Sequence, residues 1–285
     1  MVFILFLLLL PPRAVVIASV AEMHSLADQD ASVVSQVIYG SPVEVMEDKP
    51  GWVRVRTADE YEGWVAAGLL KRLGVEEPSY ASSGRVAEIR SLFAHLYREP
   101  DVTRHKPLLT VPFETRLEVV EERGGEPQRW LQVRLPDGQS AWVQRGDVSF
   151  PSRPLTAREA VALSMRFLNL PYLWGGRSSF GYDCSGFTQM LVRKRGAAMP
   201  RDADPQSRWT GSRPVRRRHA RPGDLLYFGK RGERVTHTGM YIGGGRFVHA
   251  STRGRPVIQI SRLRHPHWWR LLVGVRRLKA VARSP

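Results

Sequence analysis

The sequence predicts an α+β domain in the C-terminal half of the chain, preceded by two small all-β units. Two upstream segments repeat one pattern of short alternating strands that contain tryptophan. A helical pattern with a capping signal then opens at Thr156. A run of short apolar strands follows the single cysteine, Cys184. Helices first and antiparallel strands afterwards are typical of an α+β layout.

The N-terminal segment, residues 1–14, is a candidate signal remnant. Val2 to Leu10 are all apolar, but the run is too short to span a bilayer. It also lacks the basic start and the small-residue cleavage site of a secretory signal. We therefore expect a cell-envelope or secreted location if the segment acts as a signal, and a cytoplasmic one otherwise. Val15 to Val20 either precede a cleavage site or form the first strand.

Two upstream units, residues 15–75 and 84–150, share one order of strands and turns. Each has an alternating strand, a second strand that starts with tryptophan, and a short strand that ends in Trp-Val. Period-two alternation with Gly, Pro and Asp in the turns is typical of small antiparallel barrels. The tryptophans are expected in the barrel cores or edges rather than as ligand-stacking platforms. They are Trp52, Trp64, Trp130 and Trp142.

The third domain, residues 155–285, starts with a helix. Thr156-Ala-Arg-Glu159 is a capping box, and apolar residues follow it at helical spacing until Pro171. A glycine-rich loop and a second helical pattern come next. The predicted strands after them are Leu225 to Phe228, Thr238 to Ile242, Arg246 to Ala250, Val257 to Ile260 and Leu271 to Val275.

Cys184 is a candidate nucleophile because of where it lies in this pattern. It follows Gly175 and Gly176 and opens the second helical pattern. A thiol at a helix N-terminus faces unpaired amides and the positive end of the helix dipole, which lower its pKa. The same amides stabilise the oxyanion of a tetrahedral intermediate. An isolated cysteine is more often a small buried residue, but the loop-to-helix setting favours chemistry.

Two histidines are candidate partners of the thiol. His237 opens one predicted strand, and His249 lies on the next, after a glycine-rich turn. The hairpin places them side by side, so one can accept the thiol proton while the other orients it. Two histidines without a third ligand make a poor zinc site. We therefore expect neither a metal nor a cofactor, and we interpret His265 and His267 as part of a rigid loop with aromatic packing.

The charge of the chain points to anionic partners without identifying them. The formal net charge is +16 at pH 7. Such a surface attracts anions, although an arginine-rich solvated surface is an equally good explanation. The basic stretch from Arg213 to Arg218 belongs to no nucleic-acid-binding motif, so nucleic acid is not expected as a partner.

Six motifs in a fixed order resemble the NlpC family of papain-like cell-wall peptidases. They are Tyr172-Leu-Trp-Gly-Gly, Asp183-Cys-Ser-Gly-Phe187, Pro200-Arg-Asp-Ala203 with Gln206, Pro222-Gly-Asp-Leu225, His237-Thr-Gly-Met-Tyr-Ile-Gly243 and Phe247-Val-His-Ala-Ser251. The upstream units resemble the bacterial SH3-like domains that often precede this domain. The resemblance implies a papain-like catalytic domain, with helices packed on an antiparallel sheet, after two small SH3-like β-barrels. The whole chain is similar to γ-D-glutamyl-L-diamino acid endopeptidases, which are thiol proteases.

The resemblance also implies a role for each site residue. Cys184 would be the nucleophile, His237 the base and His249 the third polar member. Tyr172 would lie on the oxyanion side of the pocket, and Trp174 would line it. The remaining residues would hold the free amine of the substrate's L-Ala, and they are Tyr61, Asp183, Ser185 and Asp202.

Elementary chemistry agrees with the amine-binding roles, because a buried ammonium group needs carboxylate partners. Asp183 and Ser185 also fit a simple helix-capping role, and Tyr61 also fits barrel packing. Some relatives offer a further acid from the first barrel. The corresponding stretch here, Ser32-Val-Val-Ser-Gln36, contains none, so Glu62 is an alternative.

The implied activity is hydrolysis of the bond between γ-D-glutamate and diaminopimelate or lysine in peptidoglycan stem peptides. The substrate would be intact wall or released muropeptides, in wall turnover or recycling, and a monomer is expected. One alternative is a cell-wall-binding protein with an inactive peptidase domain, whose basic surface is attracted to anionic wall polymers. Another is a papain-like amidase or acyltransferase that acts on a different substrate.

Overall fold

The computed structural model describes residues 11–121, 129–150 and 153–279. The hydrophobic run from Val2 to Leu10, the candidate signal segment, lies outside the described residues. The described chain is rich in sheet and has few helices, so the fold is mostly sheet rather than an even mixture of helix and strand. No helix in these three ranges is long and apolar enough to cross a bilayer.

The first unit forms a seven-stranded antiparallel sheet in the order β3-β2-β6-β5-β4-β1-β7. Its strands are β1 (Arg13–Val16), β2 (Val20–His24), β3 (Val33–Ile38), β4 (Pro42–Lys49), β5 (Trp52–Arg56), β6 (Glu62–Ala66) and β7 (Leu70–Leu73). The sequence pattern identified β4, β5 and β6. Alternate valines on these strands, including Val43, Val53 and Val65, form the buried core. The stretch from Val15 to Val20 contains the end of β1, at Val16, and the first residue of β2, Val20.

The second unit forms a five-stranded sheet in the order β13-β12-β11-β8-β14 and a separate β9–β10 ribbon. Its strands are β8 (Val86–Ile89), β9 (Phe93–Leu96), β10 (Leu109–Pro112), β11 (Arg116–Glu121), β12 (Trp130–Arg134), β13 (Ser140–Gln144) and β14 (Val148–Ser149). Trp64 of the first unit is buried, while Trp52, Trp130 and Trp142 are partly buried. None of the four is fully exposed.

The third unit is a six-stranded sheet in the order β17-β22-β18-β19-β20-β21, with short helices on both faces. Its elements are α1 (Ala157–Met165), β15 (Arg177–Ser178), β16 (Gly181–Tyr182), α2 (Cys184–Arg193), α3 (Ala203–Arg208), β17 (Ser212–Pro214), β18 (Leu225–Phe228), β19 (His237–Gly243), β20 (Arg246–Ser251), β21 (Val257–Arg262), α4 (Pro266–Leu271) and β22 (Leu272–Leu278). The capping box at Thr156 is present, with both of its hydrogen bonds. The helix ends at Met165, earlier than Pro171.

Alternation along the strands of this sheet gives it two apolar faces. Leu225 and Tyr227 of β18 pack with α2 in one cluster, while Leu226 and Phe228 pack with Trp268 of α4 in the other. The prediction of a loop at His265 is wrong, because His265 caps α4 and Pro266 occupies its first turn. A proline is favourable there because its missing N–H has no helical acceptor in any case. The last strand consequently starts at Leu272.

The first unit packs directly against the start of α2. Gln36 of β3 accepts a hydrogen bond from the backbone N–H of Arg177 at 3.0 Å. Gln189 of α2 donates to Asp59 at 2.6 Å. A Cβ on Gly175 would lie 2.9 Å from Val33, so the glycine-rich loop needs a glycine there to approach the first sheet. The nucleophile loop is thus held between two domains.

Candidate active site

Cys184 lies in a cavity of about 560 Å³ between the first sheet and the third unit. Eight of the nine site residues predicted from the sequence line it, and only His249 does not. The eight are Tyr61, Tyr172, Trp174, Asp183, Cys184, Ser185, Asp202 and His237. The fold therefore brings together residues that are up to 176 positions apart, from Tyr61 to His237.

Cys184 is the first residue of α2, as the sequence predicts, and its side chain is buried. Asp183 caps the helix by accepting a hydrogen bond from the Gly186 N–H at 2.7 Å. A Cβ on Gly186 would lie 2.2 Å from the Gly176 carbonyl oxygen, so only glycine allows the loop and the helix to approach this closely. The local sequence thereby fixes the position of the thiol.

The prediction of a lowered thiol pKa is wrong for this pocket. Burial, together with the negative charge of Asp183, raises the pKa of the Cys184 thiol to about 12. The backbone N–H groups of Thr238 and Ser185 and the charge of Arg201 lower it, but by less. The helix end is present, yet the cost of removing a thiolate from water exceeds the gain from a partial helix charge. The resting thiol is neutral.

The two histidines form a hydrogen-bonded pair. His237 Nε2 lies 2.8 Å from His249 Nδ1, and His249 Nε2 lies 2.9 Å from the Ser261 hydroxyl. For His237 to act as a base through Nδ1, its proton must sit on Nε2 and point to His249. The proton of His249 then sits on its own Nε2 and points to Ser261. Ser261 is therefore the third member of this series of hydrogen bonds, and the sequence motifs did not reveal it.

Both histidines are neutral in the resting site. Burial, together with the nearby His267, lowers the pKa of His237 to about 4. Burial also lowers the pKa of His249 well below its ordinary value. Trp268 supplies part of this burial, because its ring stacks on His237 at a centroid distance of 5.1 Å and meets His249 edge-on at 4.9 Å. Sequence reasoning gave Trp268 no role beyond packing.

A buried arginine organises the residues beside the thiol. Arg201 donates to both carboxylate oxygens of Asp183, at 3.0 and 2.6 Å, and to the Ser185 hydroxyl at 2.9 Å. Its side chain is only 1% exposed. It also donates to Ser35 of the first sheet at 3.0 Å. Asp183 and Ser185 are therefore held inside the protein. Arg201 stands in one of the recognised motifs, but its role was not predicted.

Asp202 is the cavity carboxylate that remains available. The Tyr61 hydroxyl donates to it at 3.3 Å, and no cation forms an ion pair with it in the part of the chain that the structure describes. Burial raises the pKa of Asp202 and also that of Tyr61, to about 12. The neighbouring Asp204, by contrast, is paired with Arg208 at 2.5 Å. The alternative acid, Glu62, is bound by Arg54 and Arg56 and does not line the cavity.

The two remaining residues lie at the mouth and the wall of the cavity. Trp174 is 69% exposed, so its ring is free to contact a ligand. Tyr172 is partly buried, and burial raises its pKa, so its hydroxyl stays protonated and can donate a hydrogen bond. Within residues 11–121, 129–150 and 153–279, no group of three or more His, Cys, Asp and Glu side chains is placed to hold a metal ion.

The chain matches two family profiles. The profile of the NlpC/P60 family matches residues 169–277, which contain the cysteine, both histidines and most of the third sheet. The profile of the bacterial SH3 domain matches twice, at residues 19–71 and 96–149. These matches fall on the three units that the structure shows, in the same order.

Curated relatives extend over most of the chain. A γ-D-glutamyl-L-lysine dipeptidyl-peptidase of Bacillus cereus is 32% identical over 261 residues, covering 85% of this chain and 74% of that protein. A protein of the same name from Bacillus subtilis is 29% identical over 258 residues, covering 87% and 82%. A crystal structure of an NlpC/P60 family protein from Bacillus cereus superposes with a TM-score of 0.81 at 27% identity, covering 93% of this chain and 99% of that one.

Proposed function

The chain belongs to the NlpC/P60 family, and on this premise we propose that it hydrolyses the γ-D-glutamyl-L-diamino acid bond of peptidoglycan stem peptides. The observation that carries the proposal is the placement of Cys184 and His237 on the wall of one cavity, with His249 behind His237. Cysteine peptidase activity is the activity of the family. The names of the two Bacillus relatives favour lysine as the diamino acid, and diaminopimelate is the alternative.

In the proposed reaction, the Cys184 sulfur attacks the carbonyl carbon of the γ-glutamyl amide. The thiol has a pKa of about 12 and His237 one of about 4, so transfer of the proton before attack is unfavourable. His237 therefore takes the proton as the bond to carbon forms. The oxyanion meets the amides at the start of α2 and the hydroxyl of Tyr172. His237 then protonates the leaving amine, and water hydrolyses the thioester.

We propose that the free amine of L-Ala binds chiefly to Asp202 and Tyr61. Asp202 is exposed on the cavity wall and lacks an ion-pair partner among the described residues, so an ammonium group can form a charge-assisted hydrogen bond with it and offset the partial desolvation that raises its pKa. Asp183 and Ser185 add acceptor oxygens on the same wall, although Arg201 limits their freedom. Trp174 covers the substrate from the solvent side. This arrangement favours wall fragments that already have a free amino terminus, in muropeptide recycling or wall turnover.

The two upstream units differ in their contribution to the catalytic cavity. We infer that residues 15–75 and 84–150 are small SH3-like barrels, and that residues 155–285 have a papain-like core. Among the described residues of the two upstream units, the cavity lining includes Val34 and Tyr61, which both belong to the first. We propose that the protein acts as a monomer, and that its basic surface attracts anionic polymers of the wall.

The activity is tested with defined tri- and tetrapeptides whose products are identified by mass spectrometry. Cys184→Ala removes the nucleophile, and we expect hydrolysis to fall by about 10⁴-fold or more. Undiminished turnover by this variant would refute the peptidase mechanism. Release of a transfer product instead of the free acid would support the acyltransferase alternative.

Amine recognition is tested with the same peptides carrying free or acetylated amino termini. Asp202→Asn should raise KM for the free peptide by about tenfold or more, because it removes a charge-assisted hydrogen bond. Glu62→Gln is the matched control, since its carboxylate lies outside the cavity, and it should leave KM unchanged. Equal cleavage of free and acetylated peptides by the unmodified enzyme would refute the amine-binding roles without affecting that of Cys184.

A further inference from the structure

The third unit has a second cavity whose wall is dominated by arginine. It encloses about 1220 Å³ and is roughly twice as large as the catalytic cavity. Its arginines come from three separate chain segments: the segment before β18, the β19–β20 turn and the end of β21. The arginines that line it are Arg216, Arg217, Arg218, Arg246, Arg262 and Arg264. Trp269 of α4 forms part of the same wall.

In the part of the chain that the structure describes, no carboxylate forms an ion pair with these arginines. None of the lining residues is Asp or Glu. Arg217 instead donates to the Leu272 carbonyl at 2.7 Å and lies over the Trp269 ring at 4.2 Å. All six side chains are exposed. The cavity therefore holds a concentrated positive charge that the described protein leaves unpaired.

This cavity is distinct from the catalytic one. The two share no lining residue. His237 lies at the first end of β19, whereas the arginine cavity surrounds the turn at the other end, from Gly243 to Arg246. Helix α4 lies between the two sites, with Trp268 against His237 and Trp269 on the arginine wall.

Electrostatics indicates what the arginine cavity takes. Like charges that share one space repel each other, and a bound anion removes that repulsion and adds attraction. Guanidinium groups that converge from three segments suit a tetrahedral phosphate, which accepts hydrogen bonds from several directions at once. A planar carboxylate is matched best by a single fork from one side. The volume exceeds that of one phosphate several-fold, which indicates a chain of phosphate groups.

We propose that the arginine cavity binds a linear, phosphate-bearing polyanion. The proposal goes beyond peptide hydrolysis, because it concerns a second site that tethers the enzyme to a polymer rather than to its peptide. A concave wall favours a flexible strand in solution over a flat lipid surface, since a strand can enter between the arginines. Binding should weaken steeply with salt, because each arginine contact displaces a counterion from the polymer.

The test uses the full chain and a fluorescein-labelled glycerol-phosphate oligomer, followed by anisotropy. The cavity variant combines Arg246→Gln, Arg262→Gln and Arg264→Gln. The matched control combines Arg98→Gln, Arg158→Gln and Arg231→Gln, which are exposed arginines that line neither cavity and lower the net charge equally. The cavity variant should bind at least about tenfold more weakly, and the control should stay within about threefold of the unmodified chain.

Three outcomes would overturn the proposal. Equal losses in both variants would assign the binding to net charge alone. Tighter binding of a labelled polyglutamate of equal charge would assign the site to carboxylates. Binding only to vesicles that contain phosphatidylglycerol would assign it to a membrane surface. Both variants should cleave a short stem peptide at the unmodified rate, and failure of that activity in the unmodified chain would leave the binding result intact.

Discussion

The two cavities of the third unit differ in how their charges are balanced. In the catalytic cavity, two of the carboxylates are paired within the protein: Asp183 forms a buried ion pair with Arg201, and Asp204 forms a more exposed one with Arg208. In the arginine cavity, six exposed arginines line the wall, and none of the lining residues is a carboxylate. The first arrangement leaves one carboxylate, Asp202, for a substrate. In the second arrangement, the positive charge of the arginines is available to an anionic ligand.

The cavities also differ in their contact with water, and this difference explains their chemistry. Burial keeps the Cys184 thiol and the His237 ring neutral at neutral pH. The arginines of the other cavity are exposed and stay charged. Helix α4 separates these environments with two adjacent tryptophans, Trp268 and Trp269. A change on one side should therefore leave the other side unaffected.

The largest expected effect is the loss of the residue behind the base. His249→Ala removes the Nδ1 acceptor, which lies 2.8 Å from His237 Nε2 and keeps the proton of His237 on that nitrogen. We expect kcat to fall by about 10²- to 10⁴-fold, the range typical of general acid–base groups. KM for a short stem peptide should change little, since His249 does not line the cavity. Binding of the labelled oligomer should not change.

Ser261→Ala is a milder change to the same series of hydrogen bonds. It removes only the outer hydrogen bond, to His249 Nε2 at 2.9 Å, and it should cost less than His249→Ala. If both variants kept the full kcat, the pair would have no part in positioning His237.

The next largest effect is the loss of stability when the buried ion pair between Arg201 and Asp183 is broken. Arg201→Met leaves Asp183 buried without its cation, and breaking one side of a buried ion pair costs about 3–5 kcal/mol. Arg208→Met breaks an exposed pair, which contributes less than about 1 kcal/mol. Hydrogen exchange of the α2 amides measures the local free energy of opening in each variant. Equal opening free energies would contradict the view that Arg201 anchors the nucleophile helix.

The sequence predicted the residues that carry local signals. Cys184, His237 and His249 stand next to glycine-rich loops and turns, and the central strands show plain alternation, so their positions could be inferred. β1 was expected only as one of two alternatives, and β2, β3 and β7 were missed, the last in part because it is only four residues long. The thiol pKa was predicted in the wrong direction, because burial depends on the domain that packs over the loop.

The residues that sequence reasoning missed act across long separations. Arg201 joins Ser35 to Asp183, and Trp268 reaches the histidines from a helix that sequence reasoning had taken for a loop. The arginine cavity was visible only as the cluster from Arg213 to Arg218. Its other arginines come from two later segments, and no local pattern indicates that the fold joins them.

The smallest expected effects are those of replacing the adjacent tryptophans, Trp268 and Trp269, one at a time. Activity should require neutral His237, so kcat/KM of the unmodified enzyme should fall with decreasing pH only near its pKa of about 4. Trp268→Leu admits water to the ring. The pKa should then rise toward the ordinary 6.5, which moves the acid limb upward and lowers kcat/KM by about tenfold at neutral pH through lost positioning.

Trp269→Leu is the matched change one residue later. It should weaken oligomer binding and leave the pH dependence of catalysis unchanged. It removes the ring beneath Arg217, so binding of the glycerol-phosphate oligomer should weaken by about two- to fivefold, the value of an exposed cation–π contact. The pH profile of kcat/KM should stay unchanged. If Trp269→Leu shifted the acid limb, or Trp268→Leu weakened oligomer binding equally, α4 would couple the two cavities instead of separating them.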